Sequence, residues 1–247
     1  MRANFGEHFK LTIFGESHGP AIGVVIDGLP AGARIDEDYI ARQMARRAPG
    51  NDPTATARKE ADAVRILSGV LNGRATGAPL CAVIENTNTR SGDYKNIAAS
   101  MRPGHADYAG YVKYNGMNDP RGGGHFSGRL TAPLVFAGSV ARLLLQEKGV
   151  TIGAHIAAIA DAADERFDPV NVDAWTLCKL TESRFPLLCP EKEAAMREAE
   201  VLAGELTERM KLVTAQLSQQ FEQLIEMPAP FLGPIQLGRI QPDERGE

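Results

Sequence analysis

Short apolar runs recur at four places in the first third of the chain. "HFKLTIFGE" (8–16) and "GVVIDG" (23–28) have the alternation of β-strands, and a Gly-Pro pair interrupts the pattern between them. "AVRILSGVL" (63–71) and "PLCAVIE" (79–85) are two further strand candidates, separated by the turn-forming sequence "NGRATGA". The pattern therefore predicts strands in all four runs.

Two other stretches have the spacing of helices. Asp36 is a suitable N-cap, and Ile40 and Met44 fall on one face of the helix that would follow it. "LTAPLVFAGSVARLLLQEKG" (130–149) predicts a strongly apolar helix of about five turns. "VTIGAHIAAIA" (150–160) predicts a further strand. Strands interleaved with helices indicate an α/β or α+β sandwich.

The C-terminal part of the chain differs in character. Residues 200–226 predict a long amphipathic helix. Its apolar stripe has near-heptad spacing and consists of Leu206, Met210, Val213, Leu217, Phe221 and Leu224. Residues 227–247 are Pro-rich and predict an extended tail. The stripe favours packing or self-association over cofactor binding, and we predict two domains, residues 1–198 and 199–247.

Residues 86–128 are mostly polar and Gly-rich and predict a long loop, which in a compact domain usually carries function. Within it, "RGGGHFSGR" (121–129) has three successive glycines, whose amides can form a nest for an anion. Arg121 and Arg129 would add positive charge, as would the N-terminal end of the apolar helix that follows. An ordinary glycine turn is the alternative, and the residues alone leave both possibilities open.

The composition is typical of a globular protein, with 43% apolar and 6% aromatic residues. The N-terminus lacks the uninterrupted apolar core of a signal peptide, and no apolar run approaches the roughly 20 residues of a membrane span. The three cysteines, Cys81, Cys178 and Cys189, lack the spacing of a metal site and suit reduced thiols. We therefore expect a soluble, cytoplasmic protein that does not bind membranes.

The charge is unevenly distributed along the chain. The net charge of −4 argues against a general nucleic-acid binder. Residues 40–130, however, contain 13 Lys and Arg against 7 Asp and Glu. A basic middle within an acidic protein favours a small polyanionic ligand, with a chance imbalance as the alternative.

Three of the five histidines, His18, His105 and His125, lie in loops rich in Gly or Pro. Histidine exchanges protons near neutral pH, and small neighbours let a ligand approach it closely. Their spacings of 87 and 20 residues do not fit a zinc site, so no metal is predicted. The nucleophile elbow of hydrolases and the GxGxxG fingerprint of dinucleotide-binding proteins do not occur either.

Several long motifs, in a consistent order, resemble chorismate synthase. They are "FGESHGPAIGVVIDGLPAG", "RRAPG", "SGV", "IENTNTRSGDY", "RPGHADYAGYVKY" and "DPRGGGHFSGRLTA". The last of these is similar to the glycine loop of clostridial-type members of that family. The resemblance covers roughly residues 1–198 and implies an α+β fold, the β-α-β sandwich of chorismate synthase.

The resemblance also implies a reaction and a set of site residues. The family eliminates phosphate from 5-enolpyruvylshikimate 3-phosphate in a 1,4-anti reaction of the shikimate pathway, which gives chorismate for aromatic amino acid synthesis. It requires reduced FMN, although the overall reaction is redox-neutral. His18 matches the histidine that assists proton transfer around the leaving phosphate, His105 the histidine that protonates the flavin, and Arg47 a substrate-binding residue. The flavin-binding segment is matched by His125, Phe126 and Ser127.

The resemblance ends near residue 198. Family members continue into a second half with further flavin contacts, whereas this chain has the heptad-like helix and the Pro-rich tail. We therefore expect a truncated sandwich with a long C-terminal helix. Two functions remain open: a working lyase, assembled as the homotetramer of the family, or an inactive relative that self-associates through the helix.

Overall fold

An antiparallel sheet of five strands forms the core of the described residues. The structure, a computed structural model, describes residues 3–48, 62–87, 101–102 and 105–202. The strands are β1 (Asn4–Phe5), β2 (Lys10–Gly15), β3 (Ala21–Asp27), β4 (Val64–Ser68) and, after the hairpin β5 (Val70–Leu71) and β6 (Arg74–Ala75), β7 (Leu80–Glu85). Their order in the sheet is β1-β2-β3-β7-β4. The four predicted strands are all present.

The two central strands place their largest apolar side chains on one face of the sheet. On β3 and β7 the paired residues are Ile22 with Ile84, Val24 with Ala82, and Ile26 with Leu80. All six are buried. Since side chains alternate between the two faces of a strand, this register puts one apolar stripe of each strand into the same core.

Two helices cover this face. In α1 (Glu37–Arg47) the predicted cap is present, because the Asp36 side chain accepts a hydrogen bond from the Tyr39 amide at 2.9 Å. The long apolar helix α3 (Thr131–Gln146) packs against α1 and against the sheet. Its buried Phe136 and Val140 join the buried Met44 of α1 in one apolar cluster. The sheet and its helix layer confirm the predicted α+β class.

The predicted loop over residues 86–128 contains helical structure. Residues 107–113 form α2 (Asp107–Lys113), and two short 3-10 turns, Arg121–Phe126 and Gly128–Leu130, precede α3. The prediction of loop was therefore wrong for α2, whereas the non-helical backbone at Gly122, Gly123 and Gly124 agrees with it. α2 has only seven residues with a glycine among them, so its sequence pattern is too short to show a helical period.

The strand predicted over residues 150–160 was also wrong for most of its length. Pairing is confined to a two-residue hairpin, β8 (Ala158–Ile159) with β9 (Ala162–Ala163). The segment is held by other contacts instead, such as the hydrogen bond from the Ile156 amide to the Pro186 carbonyl at 2.9 Å. It is followed by α4 (Ala174–Glu182), and residues 193–202 are helical.

One stretch of the described chain, Arg121–Gln146, is long and apolar enough to cross a membrane by length and composition alone, with a mean hydropathy of 1.3. It includes the glycine turn, whose backbone is not helical. Its helical part is α3, which lies in the core cluster. Core helices of globular proteins meet the same criteria, so the stretch is a weak indication of a membrane span.

The predicted C-terminal helix and tail lie outside the described residues, apart from the helical residues up to 202. The described residues fall within one compact unit, Met1–Gly204. The boundary between residues 1–198 and 199–247 stays a prediction.

Candidate active site

The three successive glycines form a tight turn of defined shape. Gly122, Gly123 and Gly124 have φ angles of 59°, 82° and 54°, a region that other residues enter only at a cost. A Cβ atom at Gly124 would lie 2.3 Å from the Asp119 carbonyl oxygen, so this position also lacks space for a side chain. The anion nest stays a prediction, because the Gly123 amide donates within the turn, to the Pro120 carbonyl at 3.5 Å.

The glycine turn is hydrogen-bonded to the loop between β2 and β3. The Ser17 amide donates to the Gly124 carbonyl at 3.1 Å. The His125 Nδ1 atom lies 2.9 Å from the Gly15 carbonyl oxygen. Since a carbonyl can only accept, Nδ1 carries the proton, and Nε2 of the neutral ring is then an acceptor. His125 thus anchors the turn to the end of β2.

The ring of His18 packs directly against this turn. A Cβ atom at Gly122 would lie 2.5 Å from His18 Cδ2 and 2.6 Å from its Nε2. The same atom would lie 2.9 Å from the Ser17 hydroxyl oxygen. The missing side chain at position 122 is therefore what lets the half-buried histidine and the glycine backbone meet.

An ion pair at the start of the turn sets its local charge. Arg121 binds the Asp119 carboxylate through Nη2 at 2.7 Å and Nε at 2.9 Å. These side-chain hydrogen bonds outweigh burial and hold the pKa of Asp119 below its ordinary value; the nearby His18 acts in the same direction. Asp119 is consequently ionised at neutral pH, and it offsets part of the charge of Arg121.

A buried carboxylate joins two arginines behind the turn. The Asp62 side chain is fully buried and accepts hydrogen bonds from Arg47 Nη1, at 2.5 Å, and from Arg129 Nη1. Arg47 also donates from Nη2 to the Gly128 carbonyl at 3.3 Å and from Nε to the Thr131 hydroxyl at 3.4 Å. Arg47, at the end of α1, therefore lies at the beginning of α3.

Asn86, which directly follows β7, connects these arginines to the histidine loop. Its side-chain amide donates to the carbonyls of Glu16 and Gly19, at 3.0 and 2.8 Å. Its Oδ1 atom accepts from Arg129 Nε at 3.2 Å. One side chain thus holds both ends of the segment that carries His18 and positions the second arginine.

The predicted residue His105 is exposed and lies two residues before α2. A bidentate ion pair holds this region, because Arg102 donates to Asp107 from Nε at 2.8 Å and from Nη2 at 3.0 Å. These side-chain bonds lower the pKa of Asp107, and the neighbouring charge of His105 adds to the effect. Because the family resemblance gives both histidines roles in proton transfer, we predict that His18 and His105 face one cleft.

Aromatic side chains line the other side of the turn. Phe126 is 41% exposed, and its ring centroid lies 6.0 Å from that of Tyr114. Lys113 Nζ lies 5.6 Å from the Phe126 centroid and 4.7 Å from the Tyr114 centroid. Gly110 of α2 packs so closely on Phe126 that an added Cβ would come within 3.0 Å of its ring. The segment therefore presents a partly exposed aromatic surface beside a backbone without side chains.

The structure brings most of the predicted site residues to the glycine turn. His18 packs on the turn, His125 and Phe126 belong to it, and the Ser127 hydroxyl accepts from the Arg129 amide at 3.2 Å. Arg47 contacts the end of the turn, where its guanidinium group donates to the Gly128 carbonyl. The result is an arrangement of cations, an imidazole and an aromatic surface that can bind an anionic ligand and exchange protons with it. Among the described residues, no cluster of His, Cys, Asp and Glu could hold a metal.

Sequence reasoning missed Asp62 and Asn86. Asp62 directly precedes one predicted strand and Asn86 directly follows another. Their position as polar residues at strand ends could have marked them as candidates. Their partners are 15 to 67 residues away for Asp62, and 43 to 70 residues away for Asn86. Contacts at such separations leave no periodic trace in a single sequence.

Comparisons relate the chain to known proteins. The family model for chorismate synthase matches residues 9–223. The chain is 45% identical to the chorismate synthase of Aeropyrum pernix over 196 residues, which cover 79% of this chain and 50% of the relative. It is 54% identical to the chorismate synthase of Desulfovibrio desulfuricans over 148 residues, or 60% of this chain and 41% of the relative.

A solved structure shows the same similarity. A crystal structure of chorismate synthase superimposes with a TM-score of 0.58 at 27% identity, covering 82% of this chain and 54% of that chain. The chain therefore spans about half the length of the relatives that it matches.

Proposed function

Because the chain belongs to the chorismate synthase family of lyases, we propose that it catalyses the elimination of phosphate from 5-enolpyruvylshikimate 3-phosphate to give chorismate, with reduced FMN as cofactor. The observation that carries the proposal is the contact of His18 with Gly122, since it puts a proton-exchanging ring on the predicted anion-binding turn. We propose this activity for the 247-residue chain itself.

The cations around the turn suit this substrate, which carries a phosphate and two carboxylates. In the proposed elimination, the C–O bond to phosphate breaks and its electron pair leaves with the phosphate. On the opposite face, the ring carbon gives up a proton to a base, and the electrons of that C–H bond enter the new system of double bonds. The guanidinium groups of Arg47 and Arg129 would stabilise the charge on the substrate's anions through their positive charge close to the turn.

His18 would act on the leaving phosphate. An imidazolium can donate a proton to a departing phosphate oxygen, and the neutral ring can take a proton back after the reaction. The carboxylate of Asp119, ionised at neutral pH, lies close enough to this ring for the two to interact electrostatically. His105 would supply a proton beside the flavin.

The described residues fit one face of a flavin. The exposed ring of Phe126, with Tyr114 beside it, provides an aromatic wall, and the adjacent glycine backbone lets a flat ring approach. Lys113 adds a positive charge near this wall. When bound, reduced FMN would supply an electron-rich ring that eases loss of the phosphate and ends the reaction in its starting oxidation state.

The test is an anaerobic assay of the full chain with reduced FMN and the phosphorylated substrate. We expect chorismate and phosphate to appear in equal amounts. His18→Asn should lower kcat by about 100-fold or more, the usual contribution of a general acid–base residue. His8→Asn is the matched control, since His8 is an exposed histidine in the turn before β2, and it should leave the rate unchanged.

Two results would contradict the proposal. One is a folded chain that binds substrate and flavin without releasing phosphate, the behaviour of an inactive relative. The other is full activity of His18→Asn, which would remove the proton-transfer role from this ring.

A further inference from the structure

We propose that Asp62 is a positioning residue, whose buried carboxylate holds Arg47 and Arg129 in the orientation that anion binding at the glycine turn requires. The inference rests on the proposed function for the identity of the anion. The bridge itself, which we name the Asp62 bridge and which consists of Asp62, Arg47 and Arg129, is described by contacts in this structure alone.

The Asp62 bridge is largely buried, so it differs from an exposed surface ion pair. The Asp62 side chain is 0% exposed, against 20% for Arg47 and 6% for Arg129. A carboxylate removed from water at this level is costly unless it is paired and hydrogen-bonded. Each of its two oxygens accepts from a different arginine, so both guanidinium groups are tied to one fixed point.

The bridge is coupled to both loops of the candidate site. Arg47 reaches Gly128 and Thr131, at the junction of the glycine turn with α3. Arg129 reaches Asn86, whose side chain holds the carbonyls on either side of Ser17 and His18. A change in the orientation of either arginine would therefore reach the glycine turn or the histidine loop.

Two like charges that share one small region need such a bridge. Without the carboxylate, the two guanidinium groups would repel each other in a poorly solvated environment and adopt other rotamers. With it, their directions are set before a ligand arrives, which lowers the ordering cost of binding. This is preorganisation of cations by an internal anion.

Removing the charge of Asp62 distinguishes positioning from simple charge neutralisation, because the two roles predict opposite changes in anion affinity. If Asp62 only cancelled positive charge, Asp62→Asn would raise the net charge of the site by one and tighten the binding of every anion. If Asp62 only stabilised the fold, the folded variant would bind anions as before. If Asp62 positions the arginines, binding of the phosphorylated substrate weakens in spite of the added positive charge.

The experiment is calorimetric titration of the full chain with 5-enolpyruvylshikimate 3-phosphate and, separately, with inorganic phosphate. We expect Asp62→Asn to weaken substrate binding about tenfold or more, as misplacement of binding groups does. Glu85→Gln is the matched control, because it breaks the exposed Arg65–Glu85 pair on the neighbouring strand, and it should change affinity less than about twofold. Unchanged or tighter binding by folded Asp62→Asn would overturn the inference.

A second measurement covers the case in which Asp62→Asn does not fold. In the unmodified protein, NMR of the guanidinium groups should show slow rotation about the Nε–Cζ bonds of Arg47 and Arg129, but fast rotation for the exposed Arg65. Fast rotation of the two bridged arginines would overturn the inference. If the unmodified chain does not bind the substrate, the proposed function fails, and these arginine signals still show whether Asp62 holds the two arginines in fixed orientations.

Discussion

At the scale of single residues, the site depends on glycines, because the absence of a side chain leaves room for neighbouring groups. Gly122 combines a φ of 59° with the contact that a side chain would make with His18, whereas Gly123 has a φ of 82° but no side-chain neighbour closer than 3.8 Å. Substitutions at these two positions can therefore distinguish the need for a left-handed backbone from the need for space beside His18.

Gly123→Ala should destabilise the protein by about 1–2 kcal/mol, because it places alanine in the left-handed region, and Gly122→Ala should destabilise it by more, because its Cβ would also overlap the His18 ring. Only Gly122→Ala should displace the His18 ring, and we expect it to lower the rate of phosphate release about tenfold or more. Urea unfolding measures the first effect. The NMR signals of His18 measure the second without reference to activity, and equal signals in both variants would contradict the contact.

At the scale of elements, α2 and the glycine turn are each held by an arginine–carboxylate pair. α2 buries only Gly110, and the Arg102–Asp107 pair braces its first turn. The Asp119–Arg121 pair does the same for the glycine turn. The sheet, α1 and α3, in contrast, share the apolar core.

These pairs predict a loss of stability in acid. Hydrogen bonds from Arg102 and Arg121 lower the folded-state pKa of Asp107 and Asp119. A lowered pKa contributes stability that is fully present above the unfolded value of about 3.9 and is lost as pH falls through the folded value. The urea midpoint should therefore fall as the pH drops below about 4.

Asp107→Asn and Asp119→Asn should each be less stable than the unmodified chain at pH 7 and lose less on acidification. Glu85→Gln serves as the control, since its pair with Arg65 is exposed on both sides and surface pairs contribute little. Identical acid profiles for all variants would contradict a stabilising role for the two half-buried carboxylates.

At the scale of the whole molecule, the described residues offer one aromatic wall, around Phe126 and Tyr114, to the flavin that we propose as cofactor. Ligand pockets generally bury 70–90% of a ligand of this size, as a rough range. One wall cannot achieve this burial by itself. The apolar heptad-like stripe predicted over residues 200–226 would allow a second copy to supply further surface.

FMN affinity should therefore depend on self-association. We expect a weak complex at protein concentrations where the chain is monomeric and binding that is about tenfold tighter where it is associated, as an added contact surface allows. Fluorescence quenching of FMN and sedimentation of the same samples measure both quantities. Tight binding by a sedimentation-proven monomer would show that one copy encloses the flavin alone.

The regular elements of the core could be predicted because their signals are local. Strands β2, β3 and β7 contain short apolar runs next to turn-forming residues such as glycine, proline and asparagine, and α1 has its cap at Asp36. Residues 150–160, where the strand prediction was wrong, form an equally apolar run. Such a run predicts burial, but a strand also needs a free sheet edge as partner, and here Gly153 packs against Leu177 of α4 instead.

The sequence by itself determined the fold class, the family and the residue types of the site, because these depend on local pattern, on motif order and on the special backbone of glycine. Only the tertiary structure decided which of those residues meet. The contacts of His18 with Gly122 and of Asp62 with Arg129 join positions 104 and 67 residues apart. Such contacts arise when packing of the sheet and helices brings distant loops together, and no local preference of the chain specifies them.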